Sequence, residues 1–307
     1  MFFRKLPFFT VFVCIIVFNF STVYAKKNQT NPKKIVVTFS ILKDVVSVIG
    51  GKRVHVTSLV RRNMDSHMFR PTPRDARVIS SADLVVMNGI GFEGWIERLV
   101  KASGYKGSII VASENIKKID HKEHKEHKEH HHSEWDPHVW LSVPNMKIYI
   151  GNIAAGMIRF DPDGKNYYRN NLKKYIFKLN NLDKFIRTTV NSVPKIKRNV
   201  ITSHDAFGYL SREYGIQMSA PQGVSTESEA SALKIASIIR QIKKTSVKAI
   251  FLENITDNRL IQQIASQTKV KIGGKLYSDA LSDRNGPASN YLDLMRYNIQ
   301  TIIKALK

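Results

Sequence analysis

In the first half of the chain, short apolar runs alternate with amphipathic stretches. Four short runs rich in β-branched residues predict buried strands at Lys33–Phe39, Val54–Val60, Ala82–Asn88 and Ser108–Ala112. Between them, the spacing of apolar residues predicts helices over Ser40–Gly50, Thr72–Ile79 and Glu93–Ala102. Strands that alternate with helices in this way favour right-handed βαβ units and a parallel sheet.

The same alternation resumes in the second half, after the longest helical pattern of the chain, Tyr167 to Val190. A helix of that span is about 36 Å long, so it can connect two halves as a stiff element. Further strands are predicted at Asn199–Thr202, Ala249–Leu252 and Lys271–Tyr277, and further helices at Pro144–Met157, Glu229–Lys243, Asn258–Gln267 and Tyr291–Leu306. The pattern therefore predicts an α/β protein with an N-terminal lobe at 33–160, a linking helix at 163–191 and a C-terminal lobe at 192–307.

The N-terminus is typical of a secretory signal peptide at residues 1–25. Arg4 and Lys5 supply the positive charge, Phe8 to Phe18 form the apolar segment, and Val23-Tyr24-Ala25 predicts cleavage after Ala25. The apolar run is short for a membrane-spanning helix, and no second run of spanning length follows. We therefore expect an exported protein without stable membrane insertion.

Composition narrows the chemistry that the exported chain can use. Its single cysteine, Cys14, lies inside the signal and lacks the small preceding residue of a lipoprotein site. Any metal site must therefore use His, Asp or Glu. The formal net charge is +23, but the basic residues are spread along the chain without an aromatic-interleaved patch or a recognition motif. We expect a solvated basic surface and no nucleic-acid partner.

Histidines are concentrated in one polar run. Of the ten in the chain, six lie here: His121, His124, His127, His130, His131 and His132. Neutral imidazole is a good ligand for zinc, copper and nickel, so such a run indicates metal binding. The alternative is a solvated charged run, since Lys-Glu repeats alone would give one. We favour an auxiliary, low-affinity metal-binding surface loop at 121–134.

Three other histidines share one placement relative to the predicted strands. His67, His138 and His204 each follow a strand or lie on the turn after one, and so does Asp279. Side chains at the carboxyl ends of strands can converge in a cleft between two lobes. Three imidazoles and one carboxylate would make a four-coordinate zinc shell without thiolate. The alternative for each histidine alone is a hydrogen-bonded residue near a helix start, and for His55, inside a strand, we expect only a structural role.

Carboxylates adjoin each of these histidines in sequence. Asp65, Asp136 and Asp205 lie one or two residues from His67, His138 and His204. They are candidates for hydrogen-bond acceptors that orient the imidazoles, and solvated turn residues are the alternative.

Several motifs resemble those of a known family. They are Asp65-Ser66-His67 leading to Pro71-Thr72-Pro73, Ala82–Val86 with Asn88-Gly89, Asp136–Leu141, Thr202–Tyr209, Ser225–Glu229, Phe251–Glu253 and Leu276–Asp279. In this order, over nearly the whole exported chain, they are similar to the TroA-like or ZnuA-type solute-binding proteins of ABC importers, which bind zinc or manganese in the periplasm.

The resemblance implies a fold, a site and a cargo. The fold would be two lobes, each with a mainly parallel sheet flanked by helices, joined by one long rigid backbone helix. The metal ligands would be His67, His138, His204 and Asp279. In the family, a histidine at the third ligand position and a His-rich loop go with Zn²⁺, with Mn²⁺ as the alternative. The chain departs from the family at Phe69-Arg70, where many members carry a tyrosine and an acidic residue. Its His-rich loop at 121–134 is shorter than in many zinc-type members, and it lacks the C-terminal cysteine pair of some of them.

The predicted function is capture of Zn²⁺ in the periplasm and delivery to the membrane subunit of an ABC permease. We expect a monomer that is not an enzyme. The alternative from another class is a periplasmic zinc-dependent hydrolase, which would need an open coordination position and a nearby general base. No H-E-x-x-H motif is present. A surface adhesin that binds metal for stability is a third hypothesis, against which the missing lipid-attachment cysteine argues.

Overall fold

The computed structural model describes Met1 and residues 31–120, 135–245 and 247–307. Most of the predicted signal peptide and all six histidines of the 121–132 run therefore lie outside the described residues. Residues Met1–Asn31 and Pro32–Lys307 form separate units, and the second contains both sheets. Within the described residues, no helix has the length and apolar character that a membrane crossing needs.

The first sheet contains four parallel strands in the order β2-β1-β3-β4. Its strands are β1 (Lys33–Val37), β2 (Val54–Ser58), β3 (Leu84–Met87) and β4 (Ser108–Val111), and its crossover helices are α1 (Ser40–Gly50), α2 (Pro73–Ser80) and α3 (Ile96–Ser103). Val36 pairs with Thr57 on one side and with Val85 on the other, so the central strand is buried. The carboxyl ends of these strands lie along one edge, where the loops that carry polar side chains begin.

The second sheet has the same parallel arrangement, with the order β6-β5-β7-β8. Its strands are β5 (Asn199–Ile201), β6 (Gln217–Ser219), β7 (Ala249–Glu253) and β8 (Ile272–Leu276). The remaining helices are α4 (Val143–Phe160), α5 (Lys165–Asn191), α6 (Gly208–Tyr214), α7 (Ala232–Lys244), α8 (Arg259–Thr268) and α9 (Tyr291–Leu306).

The long helix α5 joins the two lobes. Its 27 residues make it about 40 Å long at the usual rise of an α-helix. It packs against α1 and α4 of the first lobe and against α9 of the second. Its buried face includes Tyr168, Tyr175, Leu179 and Ile186. One continuous hydrophobic cluster extends from Ile35 to Leu306, so the lobes share a core rather than only a hinge.

The predicted fold class is confirmed: there are two parallel-sheet lobes with flanking helices and one long helix between them. Two helices begin three residues later than the pattern predicted. Helix α3 begins at Ile96 because Glu93 turns its carboxylate back onto the amides of Asn88 and Gly89. Helix α7 begins at Ala232 because the Ser231 side chain caps it.

Candidate metal centre

His67 lies in the loop between β2 and α2, held from both sides. Asp65 Oδ1 accepts hydrogen bonds from the backbone N–H of His67 at 2.8 Å and of Met68 at 3.4 Å. The Trp95 indole donates to the carbonyl of Ser66 at 2.9 Å. These contacts fix the turn that presents the His67 ring to the space between the lobes.

His138 is oriented by the carboxylate two residues before it. Asp136 Oδ1 accepts the backbone N–H of His138 at 2.9 Å and lies 2.8 Å from Nδ1 of the His138 ring. When Nδ1 carries the donated proton, Nε2 is left as the nitrogen that can bind a cation.

His204 follows β5 and is held by Glu253, at the end of β7. Glu253 Oε1 accepts the backbone N–H groups of Ser203 and His204, each at 2.9 Å. Glu253 Oε2 lies 2.6 Å from His204 Nδ1 and accepts the Ser278 hydroxyl at 2.7 Å. One fully buried carboxylate therefore positions both His204 and the turn that leads to Asp279.

Asp279 follows β8 and faces all three imidazoles. Its Oδ2 lies 3.3 Å from Nε2 of His67 and 3.3 Å from Nε2 of His204, and its Oδ1 lies 3.5 Å from Nε2 of His138. One ligand atom from each of the four residues lies within 4.8 Å of the others, and all four residues are buried. Among the residues that the structure describes, neither Asp279 oxygen has a hydrogen-bond partner. A buried carboxylate without hydrogen bonds raises the free energy of the folded protein unless a cation lies beside it. This set of four donor groups therefore fits a metal ion.

The electrostatics of the cluster favour positive charge at its centre. Burial alone would lower the pKa of His138, but the charge of Asp279 and the hydrogen bond with Asp136 outweigh burial and raise it to about 9. Burial opposes a charge on His204 too, yet Glu253 and Asp279 raise its pKa well above the ordinary value. Burial would raise the pKa of Asp279, but His138 and His204 hold it well below its usual range. The cluster therefore favours bound protons, or a cation in their place.

Aromatic rings pack against the histidines. The Phe92 ring lies edge-on to His67, with 4.8 Å between ring centroids, and the Trp140 ring lies 5.3 Å from that of His138. The Trp140 indole donates to the carbonyl of Ser278 at 2.9 Å, and the Tyr291 hydroxyl donates to the Trp140 carbonyl at 2.7 Å. Residues from both lobes thus enclose the cluster and keep its dielectric low.

The structure brings the four predicted ligands together, and it distinguishes among the adjacent carboxylates. Asp136 contacts an imidazole ring, whereas Asp65 binds backbone amides. The carboxylate at the His204 ring is Glu253, and Asp205 donates its backbone N–H to Gly223. Sequence reasoning did not assign Glu253 a role, although Phe251–Glu253 was among the motifs. His55 is exposed in β2.

Two parallel-sheet lobes that enclose a His₃Asp cluster define a metal-binding substrate-binding protein of an ABC transporter. The family model described as zinc-uptake complex component A, periplasmic, matches residues 35–305, and the chain belongs to this family. The resemblance seen in the sequence motifs is confirmed.

Individual relatives differ in the metal for which they are named. The metal ABC transporter substrate-binding lipoprotein SsaB of Streptococcus sanguinis is 31% identical, over 96% of this chain and 98% of that protein. The manganese ABC transporter substrate-binding lipoprotein PsaA of Streptococcus anginosus is 30% identical, over 92% of each. Further relatives from streptococci and Bacillus subtilis also carry manganese in their names. Among solved structures, the periplasmic zinc-binding protein TroA of Treponema pallidum matches with a TM-score of 0.81 at 28% identity, covering 90% of this chain and 99% of that one.

Proposed function

We propose that this protein captures one divalent transition-metal ion with His67, His138, His204 and Asp279 and delivers it to the membrane subunit of an ABC permease. The observation that carries the proposal is the convergence of four buried donor groups within 4.8 Å. The two oxygens of Asp279 support it, because within the described part of the chain they are buried and accept no hydrogen bond. The Asp136 and Glu253 carboxylates orient two of the imidazoles, and Asp65 holds the turn of the third. We propose the same supporting role for Asp205, because it directly follows His204.

Zinc is the first candidate for the cargo. Three imidazole nitrogens and one carboxylate match the borderline character of Zn²⁺, and a given nitrogen and oxygen site binds Zn²⁺ more tightly than Mn²⁺. Four protein ligands would also close a tetrahedral shell, leaving no open position for a catalytic water. That argues for transport and against the hydrolase alternative.

Manganese is the second candidate, and the names of most relatives support it. The geometry at Asp279 is compatible with it, because both carboxylate oxygens face imidazole nitrogens. A bidentate carboxylate would provide five donors and more oxygen character, which suits the harder Mn²⁺.

Competitive titration of the metal-stripped protein with Zn²⁺ and Mn²⁺ tests the proposal. We expect one tight ion per chain, lost in His204→Ala and in the isosteric Asp279→Asn. His55→Ala is the matched control, because His55 is an exposed histidine outside the cluster. Tight binding retained in Asp279→Asn would refute the site. Tighter binding of Mn²⁺ than of Zn²⁺ would refute the zinc assignment and leave the manganese one.

The histidines of the 121–132 run are proposed as a collector of weakly held ions. The residues on either side of the insertion, Asp120 and Trp135, form an antiparallel bridge. Deletion of 121–132 would therefore leave Ser133 and Glu134 as a two-residue connection between paired positions. The deletion should lower the number of weakly bound zinc ions and retain the tight one. An unchanged number of bound ions would refute the collector.

The cellular context follows from the same proposal. We place the mature chain, cleaved after Ala25, in the periplasm as a monomer, with lobes at 33–160 and 192–307. The relatives are named as lipoproteins or periplasmic proteins, which supports a location outside the cytoplasm. Cell fractionation, with mass spectrometry of the mature N-terminus, tests both the location and the cleavage site.

A further inference from the structure

One chain of hydrogen bonds runs from the His67 turn of the first lobe to the His204 turn of the second lobe. In the first lobe, Asp65 Oδ1 accepts the backbone N–H of His67, and Asp65 Oδ2 accepts the Thr226 hydroxyl of the second lobe at 2.5 Å. Thr226 lies in the loop 220–231, between β6 and α7. The Gln222 side chain donates to the Thr226 carbonyl at 3.1 Å, and its backbone N–H donates to Ser203, next to His204, at 3.4 Å.

The link adjoins the most exposed member of the cluster. His67 is 6% exposed, whereas His138, His204 and Asp279 are each 0% exposed. We therefore take the His67 side as the path by which an ion enters and leaves, and Asp65 holds the turn that carries His67. Asp65 and Thr226 are both partly exposed, so water or a docking partner can compete for their hydrogen bond.

The loop 220–231 is suited to moving as a flap. No helix or strand interrupts it. Within the loop, the Gln222 side chain donates to the carbonyls of Thr226 and Ser228, at 3.1 and 3.0 Å. Among the described residues, the side-chain hydrogen bond from this loop to the opposite lobe runs from Thr226 to Asp65. Breaking it would detach the loop from the first lobe, while Gln222 still holds Thr226 within the loop and Glu253 still holds the His204 turn.

We propose that the Thr226–Asp65 hydrogen bond is a latch that sets the rate at which the metal ion enters and leaves. Thr226 is a positioning residue: it touches none of the donor atoms, so it contributes to the barrier at the opening and not to the binding energy of the ion. The inference rests on the proposed function and adds a kinetic role to a residue outside the ligand set.

Stopped-flow kinetics on Thr226→Val tests the latch, with Zn²⁺ as the probe. Zinc-loaded protein is mixed with an excess of a chromogenic chelator to measure dissociation, and metal-free protein is mixed with zinc to measure association. Both rates should rise about 10- to 100-fold, the range for losing a hydrogen bond to a charged group, while Kd stays within about twofold. Thr226→Ser keeps the hydroxyl and should restore both rates.

The matched control is Thr245→Val, which removes a hydroxyl that bonds Gln241 on the same lobe. Its zinc kinetics should equal those of the wild type. Unchanged rates in Thr226→Val would overturn the latch. So would a weaker Kd with an unchanged association rate, because Thr226 would then stabilise the bound state. If the wild type binds neither zinc nor manganese, the proposed function fails; if it binds zinc and only the rates disagree, the latch alone fails.

Discussion

Glu253 connects two separate turns, the one that carries His204 and the one that leads to Asp279. Its carboxylate is fully buried and accepts hydrogen bonds from Ser203 N–H, His204 N–H and the Ser278 hydroxyl, beside the His204 ring. A carboxylate can accept all of these bonds at once, whereas an amide has only one accepting oxygen. The negative charge also raises the basicity of the His204 imidazole toward a metal.

Replacing Glu253 with glutamine should therefore weaken metal binding without removing a ligand. We expect the Kd of the tight ion to rise about 10- to 100-fold, the range for carboxylates that support ligating histidines. Competition with a chelator of known affinity measures it. Glu97→Gln, on the exposed face of α3, is the control and should bind like the wild type. A wild-type Kd in Glu253→Gln would show that the charge behind His204 has no influence on the ion.

Protons and the metal ion compete for the same imidazoles. In the metal-free protein the pKa of His138 is raised from 6.5 to about 9, so the protonated ring stabilises the fold below pH 6.5, and this contribution is lost as pH rises through about 9. A metal needs the neutral ring. Loading at pH 7 should therefore release protons, and metal affinity should rise with pH up to about 9.

Calorimetry in buffers with different ionisation enthalpies measures this release. The observed heat of zinc binding at pH 7 should vary linearly with the buffer enthalpy, with a slope of one proton or more per ion. His55→Ala should give the same slope, because its ring lies outside the cluster. A buffer-independent heat would contradict the raised pKa of His138.

At the scale of elements, the sequence predicted what local periodicity determines and missed what depends on distant partners. Seven of the eight strands that the structure describes, and the long helices, were found because their apolar residues form short runs or recur with a clear period. Helix α6 was missed because its seven residues show no clear period. Strand β6 (Gln217–Ser219) was missed because it has one apolar residue and forms by pairing with β5. The ligand turns were found at strand ends. Glu253 was not assigned, because it lies 49 residues from His204 and only the fold brings them together.

Two glycines of α4 allow a matched test of how this helix packs on the first sheet. A Cβ at Gly156 would lie 2.4 and 2.5 Å from side-chain carbons of Ile110 in β4, whereas a Cβ at Gly151 would meet nothing within 4 Å. Gly156→Ala should lower the free energy of unfolding by about 1–3 kcal/mol through overpacking. Gly151→Ala should raise it by about 0.5–1 kcal/mol, because alanine favours a helix interior.

Urea unfolding followed by circular dichroism measures both variants. The test depends on the difference between them, since the substitution and the helix are the same. If Gly156→Ala were as stable as Gly151→Ala, the close approach of α4 to β4 would not be a constraint on packing.

At the scale of the whole molecule, the two lobes are tied together by more than α5. They share one hydrophobic cluster. Hydrogen bonds also cross between them: Leu281 N–H donates to the Ser40 hydroxyl at 3.0 Å, and Tyr291 N–H donates to Asp44 at 2.9 Å. A large hinge rotation would break these contacts and open the shared core.

We therefore predict little lobe closure on metal binding, with changes confined to loops. Small-angle scattering curves of the metal-free and zinc-loaded protein should superimpose. Asp279→Asn with added zinc is the control for any non-specific effect of the ion. A clear decrease in the radius of gyration on loading the wild type would refute the prediction and indicate a hinge mechanism.

The indole of Trp140 gives this protein a built-in optical signal for its cargo. The ring is fully buried, and its centroid lies 5.3 Å from that of His138. Exchange of imidazole protons for a divalent ion should alter the electric field at the indole, and with it the ultraviolet emission of the chain. We therefore expect that loading can be followed on the unlabelled protein, in real time, without a dye.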